Sequence, residues 1–228
     1  MHNPNLDKCC DLKIVGIGGA GSSIVSHMLS RGIVNAQFIV MNTDTAALEA
    51  TPCQNKVLLG HGSQKNEPFL GRQSVLESYD DVIDAIFDAR LLILVGGLGG
   101  NTATNALPLI AQMAKDMDIF VVCMVIMPFK FEDRRRMERA KESIEILEQT
   151  ADNMIVFQNE YFLMDLHKSA SIAVGYEIAK DTLLKGVRYI AGLLDINTRD
   201  MDDEDFQHIR FYISNHDFLC KHSIGLGE

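Results

Sequence analysis

The stretch LLILVGGLGGNTATNAL, from Leu91 to Leu107, decides the fold of this chain of 228 residues. It opens with a short apolar run that ends in glycines, which predicts a strand buried in a parallel sheet. The glycines at 96, 97, 99 and 100 allow a sharp turn and a close approach of a ligand, because glycine has no side chain. From Thr102 the pattern is helical, so the turn presents free N–H groups at a helix start, where phosphates bind. A nucleotide is therefore the first ligand to consider.

A second glycine turn lies near the start of the chain. A short β run, Lys13 to Gly16, leads into Gly16-Ile17-Gly18-Gly19-Ala20-Gly21 and then into a predicted helix from Ser22 to Ser30. This is the G-x-G-x-x-G pattern in the strand, turn and helix setting that binds phosphates. The same glycines would also serve a tight packed turn without any ligand.

The next predicted strand, Gln37 to Met41, ends at Asn42-Thr43-Asp44. Asp44 follows the glycine turn at roughly the 20-residue spacing of a carboxylate that binds a ribose hydroxyl. It also stands directly before a predicted short helix, Thr45 to Ala50, whose first N–H groups it would cap. Both interpretations stay open at the level of sequence.

The remaining elements alternate between strands and helices. The predictions are a strand Lys56 to Leu59, a polar loop Gly60 to Gly71, a helix Arg72 to Asp88, a helix from Thr102 through Pro108 to Met117, a strand Ile119 to Met127, a helix Glu132 to Gln149, a strand Asn153 to Phe157, a long helix Ser169 to Leu194 and a last helix to His216. This alternation predicts an α/β fold with a doubly wound, mostly parallel sheet flanked by helices. Ligands of such sheets lie beyond the carboxyl ends of the strands.

Composition limits the classes of partner. Hydrophobic residues make up 47% of the chain, enough for a sizeable core, and the net charge of −10 repels nucleic acids and anionic lipid surfaces. The 5 cysteines have no CxxC spacing, so we expect reduced thiols and no zinc or other dedicated metal site. No apolar run reaches the roughly 18 residues of a membrane span. We expect a soluble, cytoplasmic protein with no nucleic-acid partner and no direct insertion into a membrane.

Four segments, in order, carry a resemblance to a known family. They are GIGGAGSS at 16–23, Asn42-Thr43-Asp44, MPFKFEDRRRMERA at 127–140 and Gln158-Asn159-Glu160. Together they resemble the nucleotide-binding half of the tubulin/FtsZ family, and FtsZ more than tubulin. The resemblance implies a Rossmann-like GTPase domain over 1–194, including the long central helix. It also implies that 195–228 is an acidic loop plus terminal helix, a remnant of the second domain into which FtsZ continues.

The resemblance also implies a cytoskeletal function of the kind that FtsZ has in cell division. The ligand would be GTP or GDP, with Mg²⁺ expected from the charge of the triphosphate. The partner would be a second copy of the chain, in a head-to-tail oligomer or filament that hydrolyses GTP at the subunit junction. Asp202 and Asp205, in the pattern Asp200-x-Asp202-x-x-Asp205, would enter the next subunit's pocket as the catalytic residues. Acidic residues at a helix N-terminus are also favourable for the helix dipole alone.

Nucleotide-binding residues are carried over from the family by position. Glu132 and Arg136 would contact ribose and base, Asn159 and Asp181 would read the guanine, and Tyr176 would lie against the base or pack in the core. The other implied binding residues surround the phosphates from two sides or follow the second strand: Gly18, Gly19, Ala20, Gly21, Ser22, Ser23, Gly99, Gly100, Asn101, Thr102, Ala103, Thr104 and Asp44.

Departures from the family pattern leave alternatives open. The family's second loop reads GGGTGTG, whereas residues 99–105 here read GGNTATN. Asn101 is expected to be the mildest change because Asn enters the left-handed region, while Ala103 and Asn105 bring side chains near the phosphates or the helix packing. The loop 60–71 is also shorter than its counterpart, so we expect weak hydrolysis. The alternatives are a GTP/GDP-binding scaffold with weak or no hydrolysis, and an NAD-dependent oxidoreductase built on the 16–21 turn.

Overall fold

One parallel sheet of six strands forms the centre of the molecule. The computed structural model describes residues 11–33, 36–60, 70–159 and 172–195, and the single residues 207, 208, 210, 211 and 213. The strands are β1 (Leu12–Ile17), β2 (Gln37–Asn42), β3 (Asn55–Leu58), β4 (Leu91–Gly97), β5 (Phe120–Ile126) and β6 (Asn153–Phe157). Their order is β3-β2-β1-β4-β5-β6, and every neighbouring pair is parallel. The predicted doubly wound fold is confirmed.

Helices cover both faces of this sheet. Those whose bounds the described residues give are α1 (Gly18–Ser30), α2 (Thr45–Glu49), α3 (Leu70–Glu77), α4 (Tyr79–Ile86), α5 (Thr102–Asp116), α6 (Arg134–Thr150) and α7 (Ile172–Asp195). Successive strand residues point to opposite faces, so Ile14 joins a core with α1 and α7, and Val15 joins another with α3 to α6. The strand order reverses between β1 and β4, which places a crevice beyond their carboxyl ends.

The long helix packs on the sheet as its sequence predicts. Ala179, Leu183, Val187 and Ile190 are all fully buried, because their three- and four-residue spacing puts them on one face. Tyr176 belongs to the same predicted face but keeps 39% of its surface exposed. Its surroundings are described with the site below.

Helix α1 begins four positions earlier than predicted, at Gly18 instead of Ser22. The glycines therefore form the first helical turn and do not precede it as a separate loop. Gly18 has φ +71°, a value that suits a residue without Cβ. The first free N–H groups of the helix consequently belong to the glycine segment itself.

The predicted helix from Arg72 to Asp88 is wrong as a single element, because it breaks at Ser78. The Ser78 hydroxyl donates to the carbonyl of Leu58 over 3.1 Å and accepts from the N–H of Gly60 over 2.9 Å. These bonds satisfy the end of β3, and Ser78 takes the non-helical angles φ −111° and ψ 30°. A tertiary requirement therefore overrides a continuous helical pattern.

Helix α6 begins at Arg134, two residues later than predicted. The Glu132 carboxylate accepts from the N–H of Phe129 over 2.9 Å, and the Asp133 carboxylate caps the helix by accepting from the N–H of Arg135 over 3.0 Å. The other described boundaries lie within two residues of their predicted positions, whereas the predicted start of the long helix at Ser169 and the end of the last helix at His216 lie outside the described residues. Among the described residues, no helix is both long and apolar enough to cross a membrane.

Candidate functional site

The two glycine segments meet at one edge of the sheet. β1 and β4 are neighbours, with Ile17 paired to Gly96, so α1 and α5 begin beside each other. A Cβ built on Gly97 would lie 2.8 Å from the Cβ of Ala20, which shows how closely the segments approach. The convergence expected from sequence is therefore present.

An open cavity of about 560 Å³ lies between these segments and α7. This volume falls within the usual range of small-molecule sites, about 300–1,000 Å³. Most of the residues predicted to bind a nucleotide line it: Gly18, Gly19, Ala20, Ser23, Gly100, Asn101, Thr102, Ala103, Glu132, Arg136, Asn159 and Tyr176. These residues come from the two glycine turns, the start of α6, the end of β6 and the long helix α7.

One end of the cavity suits an anion. The first N–H groups of α1 and α5 have no partner within their own helices, and the helix dipoles favour negative charge there. Neither helix has an acidic residue in its first turn, and neither N-cap residue, Ile17 or Asn101, provides a side-chain capping bond. These N–H groups lie where the sequence predicted phosphate binding, and that role stays a prediction.

Four predicted binding residues lie behind the cavity wall. Gly21, Ser22, Gly99 and Thr104 are buried and do not line the cavity. Ser22 donates its hydroxyl to the carbonyl of Gly18 over 2.8 Å, within the first turn of α1. A Cβ on Gly21 would lie 2.6 Å from the carbonyl oxygen of Val95, so this glycine lets α1 approach β4. These residues shape the two segments without lining the cavity, and their direct contact with a ligand stays a prediction.

The three departures in the second loop have different outcomes. Asn101 is right-handed, with φ −79° and ψ −40°, so the expected use of left-handed geometry is wrong at this position. The Asn105 amide turns away from the cavity and donates to the carbonyl of Asn101 over 2.8 Å. Of the three changed positions, Asn101 and the buried Ala103 line the cavity, and Asn105 does not.

The other end of the cavity suits a planar ring. Asn159 is only 1% exposed, and its Oδ1 accepts no hydrogen bond from the residues that the structure describes. A buried acceptor without a donor is costly, so a donor on a ligand would stabilise it. The ring of Tyr176 meets Phe129 edge to face, with centroids 5.3 Å apart. Burial and then the nearby Glu132 carboxylate raise the pKa of Tyr176, which keeps the phenol neutral.

Asp44 does not line the cavity. Its Oδ1 accepts from the N–H groups of Ala46 over 3.0 Å and Ala47 over 3.2 Å, which is the capping alternative left open by the sequence. Its neighbour Thr43 contacts Thr102 through their hydroxyls, 2.8 Å apart, and so joins this turn to the second glycine loop. A role of Asp44 in binding ribose stays a prediction.

Asp181 is also absent from the cavity wall. Its Oδ1 lies 2.7 Å from Nε2 of His27 on α1. The hydrogen bond from His27 is the largest cause that holds the pKa of Asp181 below its ordinary value, and the charge of Arg31 adds to it. Recognition of guanine by Asp181 therefore stays a prediction. The catalytic roles of Asp202 and Asp205 also stay predictions, because both residues lie outside the described part of the chain. The same is true of Glu160 and of loop residues 61–69.

Sequence reasoning missed two charged residues of the wall. Glu177 and Lys180 on α7 line the cavity and form an ion pair of 2.7 Å. The Lys180 ammonium donates to Glu177 and lowers the pKa of that carboxyl. Lys180 stands four residues after Tyr176, which puts both on one helix face. That spacing was the signal available in the sequence.

Among the described residues, no cluster of three or more His, Cys, Asp or Glu side chains could hold a metal ion.

Two helix N-termini and the buried Asn159 side chain line one cavity at the switch point of a parallel sheet, an arrangement typical of nucleotide-binding α/β proteins. The sequence matches the Tubulin/FtsZ family, GTPase domain, over residues 11–166. It is 35% identical to the cell division protein FtsZ of Pseudomonas aeruginosa over 216 residues, which cover 92% of this chain and 54% of that protein. For Pseudomonas putida the identity is 36% over 205 residues, covering 87% and 51%. The chain belongs to the tubulin/FtsZ family and spans about half the length of these relatives.

Solved structures agree with this assignment. An empty FtsZ dimer from M. jannaschii has a TM-score of 0.77 and 28% identity, and the match covers 88% of this chain and 60% of that one. CetZ2 from Haloferax volcanii, in a GTPγS-bound protofilament, has a TM-score of 0.71 at 21% identity, covering 87% and 62%. The second likeness concerns the fold alone. The chain therefore contains an FtsZ-like GTPase domain, of a family whose members are GTPases.

Proposed function

We propose that this chain binds GTP and GDP, self-associates head to tail and hydrolyses GTP at the junction between subunits. The observation that carries the proposal is that two helix N-termini and Asn159, whose buried Oδ1 accepts no hydrogen bond from the described residues, line a single cavity. Groups suited to the phosphates and to the base of one ligand therefore border the same space.

The residues divide this work by position. The N–H groups at the starts of α1 and α5 bind the phosphates. Glu132 and Arg136, which pair over 3.3 Å, contact the ribose and the edge of the base. Tyr176 packs on the base, and Asn159 accepts from a guanine N–H group. Mg²⁺ accompanies the triphosphate because hard cations bind its oxygens.

Hydrolysis is proposed to need a second copy of the chain. Phosphoryl transfer demands mainly the placement of an attacking water and the management of charge. Asp202 and Asp205 of a neighbouring subunit are proposed to orient that water at the γ-phosphate. Turnover should then rise more than linearly with protein concentration, because the active site is completed only on association.

The experiment measures GTP binding by calorimetry and GTP turnover over a concentration series. An Asp202→Ala, Asp205→Ala double variant should bind GTP normally and lose turnover. Absence of guanine-nucleotide binding by the unaltered protein would overturn the whole proposal. Linear concentration dependence would overturn hydrolysis in trans.

A second function, a GTP/GDP-binding scaffold with little hydrolysis, is favoured by one observation. Ala103, where the family pattern has glycine, lines the cavity, and its Cβ lies 3.1 Å from the position of a Cβ on Gly96. We infer that this added methyl group narrows the space beside the two helix starts. Turnover that is slow and unchanged in the double variant, with normal binding, would select this function.

A further inference from the structure

Helix α6 contacts the second glycine loop at three successive turns. The position of a Cβ on Gly99 lies 2.9 Å from the carbonyl oxygen of Arg136. Nη1 of Arg139 donates to Oδ1 of Asn101 over 2.9 Å. One turn later, the buried hydroxyl of Ser143 donates to the carbonyl of Thr104 over 2.8 Å. Residues 136, 139 and 143 share one helix face, so α6 follows the loop along its whole length.

The central contact depends on a side chain that glycine lacks. Asn101 is the N-cap residue of α5 and lines the cavity, so its position sets the direction of the first N–H groups of α5. Its Oδ1 is occupied by Arg139, and its carbonyl is occupied by the Asn105 amide. The residue is thus fixed from two sides.

Arg139 is itself held in place. Its Nε donates to the carbonyl of Arg135 over 3.3 Å, while Nη1 reaches Asn101. No carboxylate among the described residues forms an ion pair with this guanidinium. A cation beside a helix N-terminus opposes the helix dipole, and an anion in the adjacent cavity would relieve that opposition.

We propose that Arg139 is a positioning residue that acts through Asn101, holding the second glycine loop in its ligand-binding conformation and adding positive charge beside the phosphate end. This inference rests on the proposed binding of a guanine nucleotide. A loop fixed before binding loses less conformational entropy when the ligand arrives, so removal of the contact weakens affinity. The effect on the conformation of the loop requires both partners and disappears where residue 101 has no side chain, whereas the effect of the charge on affinity does not depend on residue 101.

The test is a double-mutant cycle on the full chain with two measurements. The variants are Arg139→Leu, Asn101→Gly and the combination, and the matched control is Arg134→Leu, which removes the same charge from an exposed position of α6. The first measurement is the Kd for GDP by calorimetry. The second is hydrogen exchange of the amides at 99–104 in the protein without nucleotide, with the midpoint of global unfolding recorded for each variant.

Arg139→Leu should raise the Kd and speed local exchange, each about five-fold, which is less than a buried hydrogen bond to a charged group contributes because the site is half-exposed. Arg134→Leu should leave both values within about two-fold, since exposed ion pairs contribute little. In the Asn101→Gly background, Arg139→Leu should have no further effect on exchange. A merely structural loss of stability would not depend on the residue at 101.

Each remaining outcome has a defined meaning. Equal effects of Arg139→Leu on exchange in both backgrounds, or no effect on exchange, would overturn the proposal that Arg139 holds the loop through Asn101. Either result would leave the proposed function intact. If exchange changes but the Kd for GDP does not, the positioning role is overturned. If the unaltered protein binds no GDP, the proposed function fails, and the exchange cycle alone decides whether Arg139 holds the loop.

Discussion

The substitution Gly99→Ala tests the geometry of the second loop without reference to any ligand. Gly99 has φ +88°, a left-handed value that costs an L-residue about 1–2 kcal/mol. A Cβ at this position would also lie 2.7 Å from Cγ of Pro128 and 2.9 Å from the carbonyl oxygen of Arg136. Overpacking of this kind costs about 1–3 kcal/mol. Together the two costs come to about 2–5 kcal/mol, and we take about 3 kcal/mol as the expected loss.

The neighbouring residue provides a matched control. Gly100 has no positive φ, and a Cβ built on it meets nothing within 4 Å. Gly100→Ala should therefore leave the free energy of unfolding within about 0.5 kcal/mol, although it adds a methyl group to the cavity wall. The two variants separate the stability of the loop from its contact with a ligand.

The assay is thermal unfolding followed by circular dichroism, without nucleotide. For a chain of this size about 3 kcal/mol corresponds to a fall of roughly 6–12 °C in Tm, so Gly99→Ala should melt well below Gly100→Ala. Equal melting temperatures for the two variants would refute the left-handed conformation and the close approach of α6.

Three further predictions concern side chains around the site and in the core. Tyr176→Ala should weaken guanine-nucleotide binding about ten-fold, while Tyr176→Phe should change it less than about two-fold, because stacking uses the ring face and not the hydroxyl. Calorimetry measures the affinity of both variants. Equal losses of affinity would exclude stacking. Since the pKa of Asp181 is lowered in the fold, its pairing with His27 stabilises the protein above the ordinary carboxyl pKa and is lost as pH falls through the lowered value. The stability difference between the unaltered protein and Asp181→Asn should accordingly be present above the ordinary carboxyl pKa and vanish in acid, as urea midpoints at several pH values would show. A difference that persists in acid would contradict the pairing. Burial raises the pKa of the Cys123 thiol to about 12, so this thiol should resist iodoacetamide until the protein unfolds. Mass spectrometry measures the labelling of each cysteine. Rapid labelling of Cys123 in the native protein would contradict its burial in β5.

The sequence predicted the sheet and the convergence of its turns because both follow from local patterns. Strands such as β5, buried on both faces, read as continuous apolar runs. Once the strands are parallel, their carboxyl ends must share an edge, and the turns after β1 and β4 must meet there. Asn159 and Tyr176 could be placed at the site only through the family resemblance, since neither has a local signature.

The sequence could not predict contacts that depend on distant partners. His27 and Asp181 are 154 positions apart, so nothing local shows that this carboxylate is engaged by α1. Ser78 breaks a helical pattern to satisfy the end of β3, which only the tertiary arrangement reveals. Lys180 differs from these residues, because its four-residue spacing from Tyr176 could be seen in the sequence. The prediction nevertheless did not include Lys180 among the residues of the site.

Hydrogen exchange measured with and without saturating GDP shows whether both glycine segments bind one nucleotide. The free N–H groups at Gly18 to Ala20 and at Thr102 to Thr104 belong to different segments, separated along the chain but adjacent in the fold. We expect GDP to slow exchange at both segments together, at the same GDP concentration. Protection of one segment alone, or of neither, would contradict it.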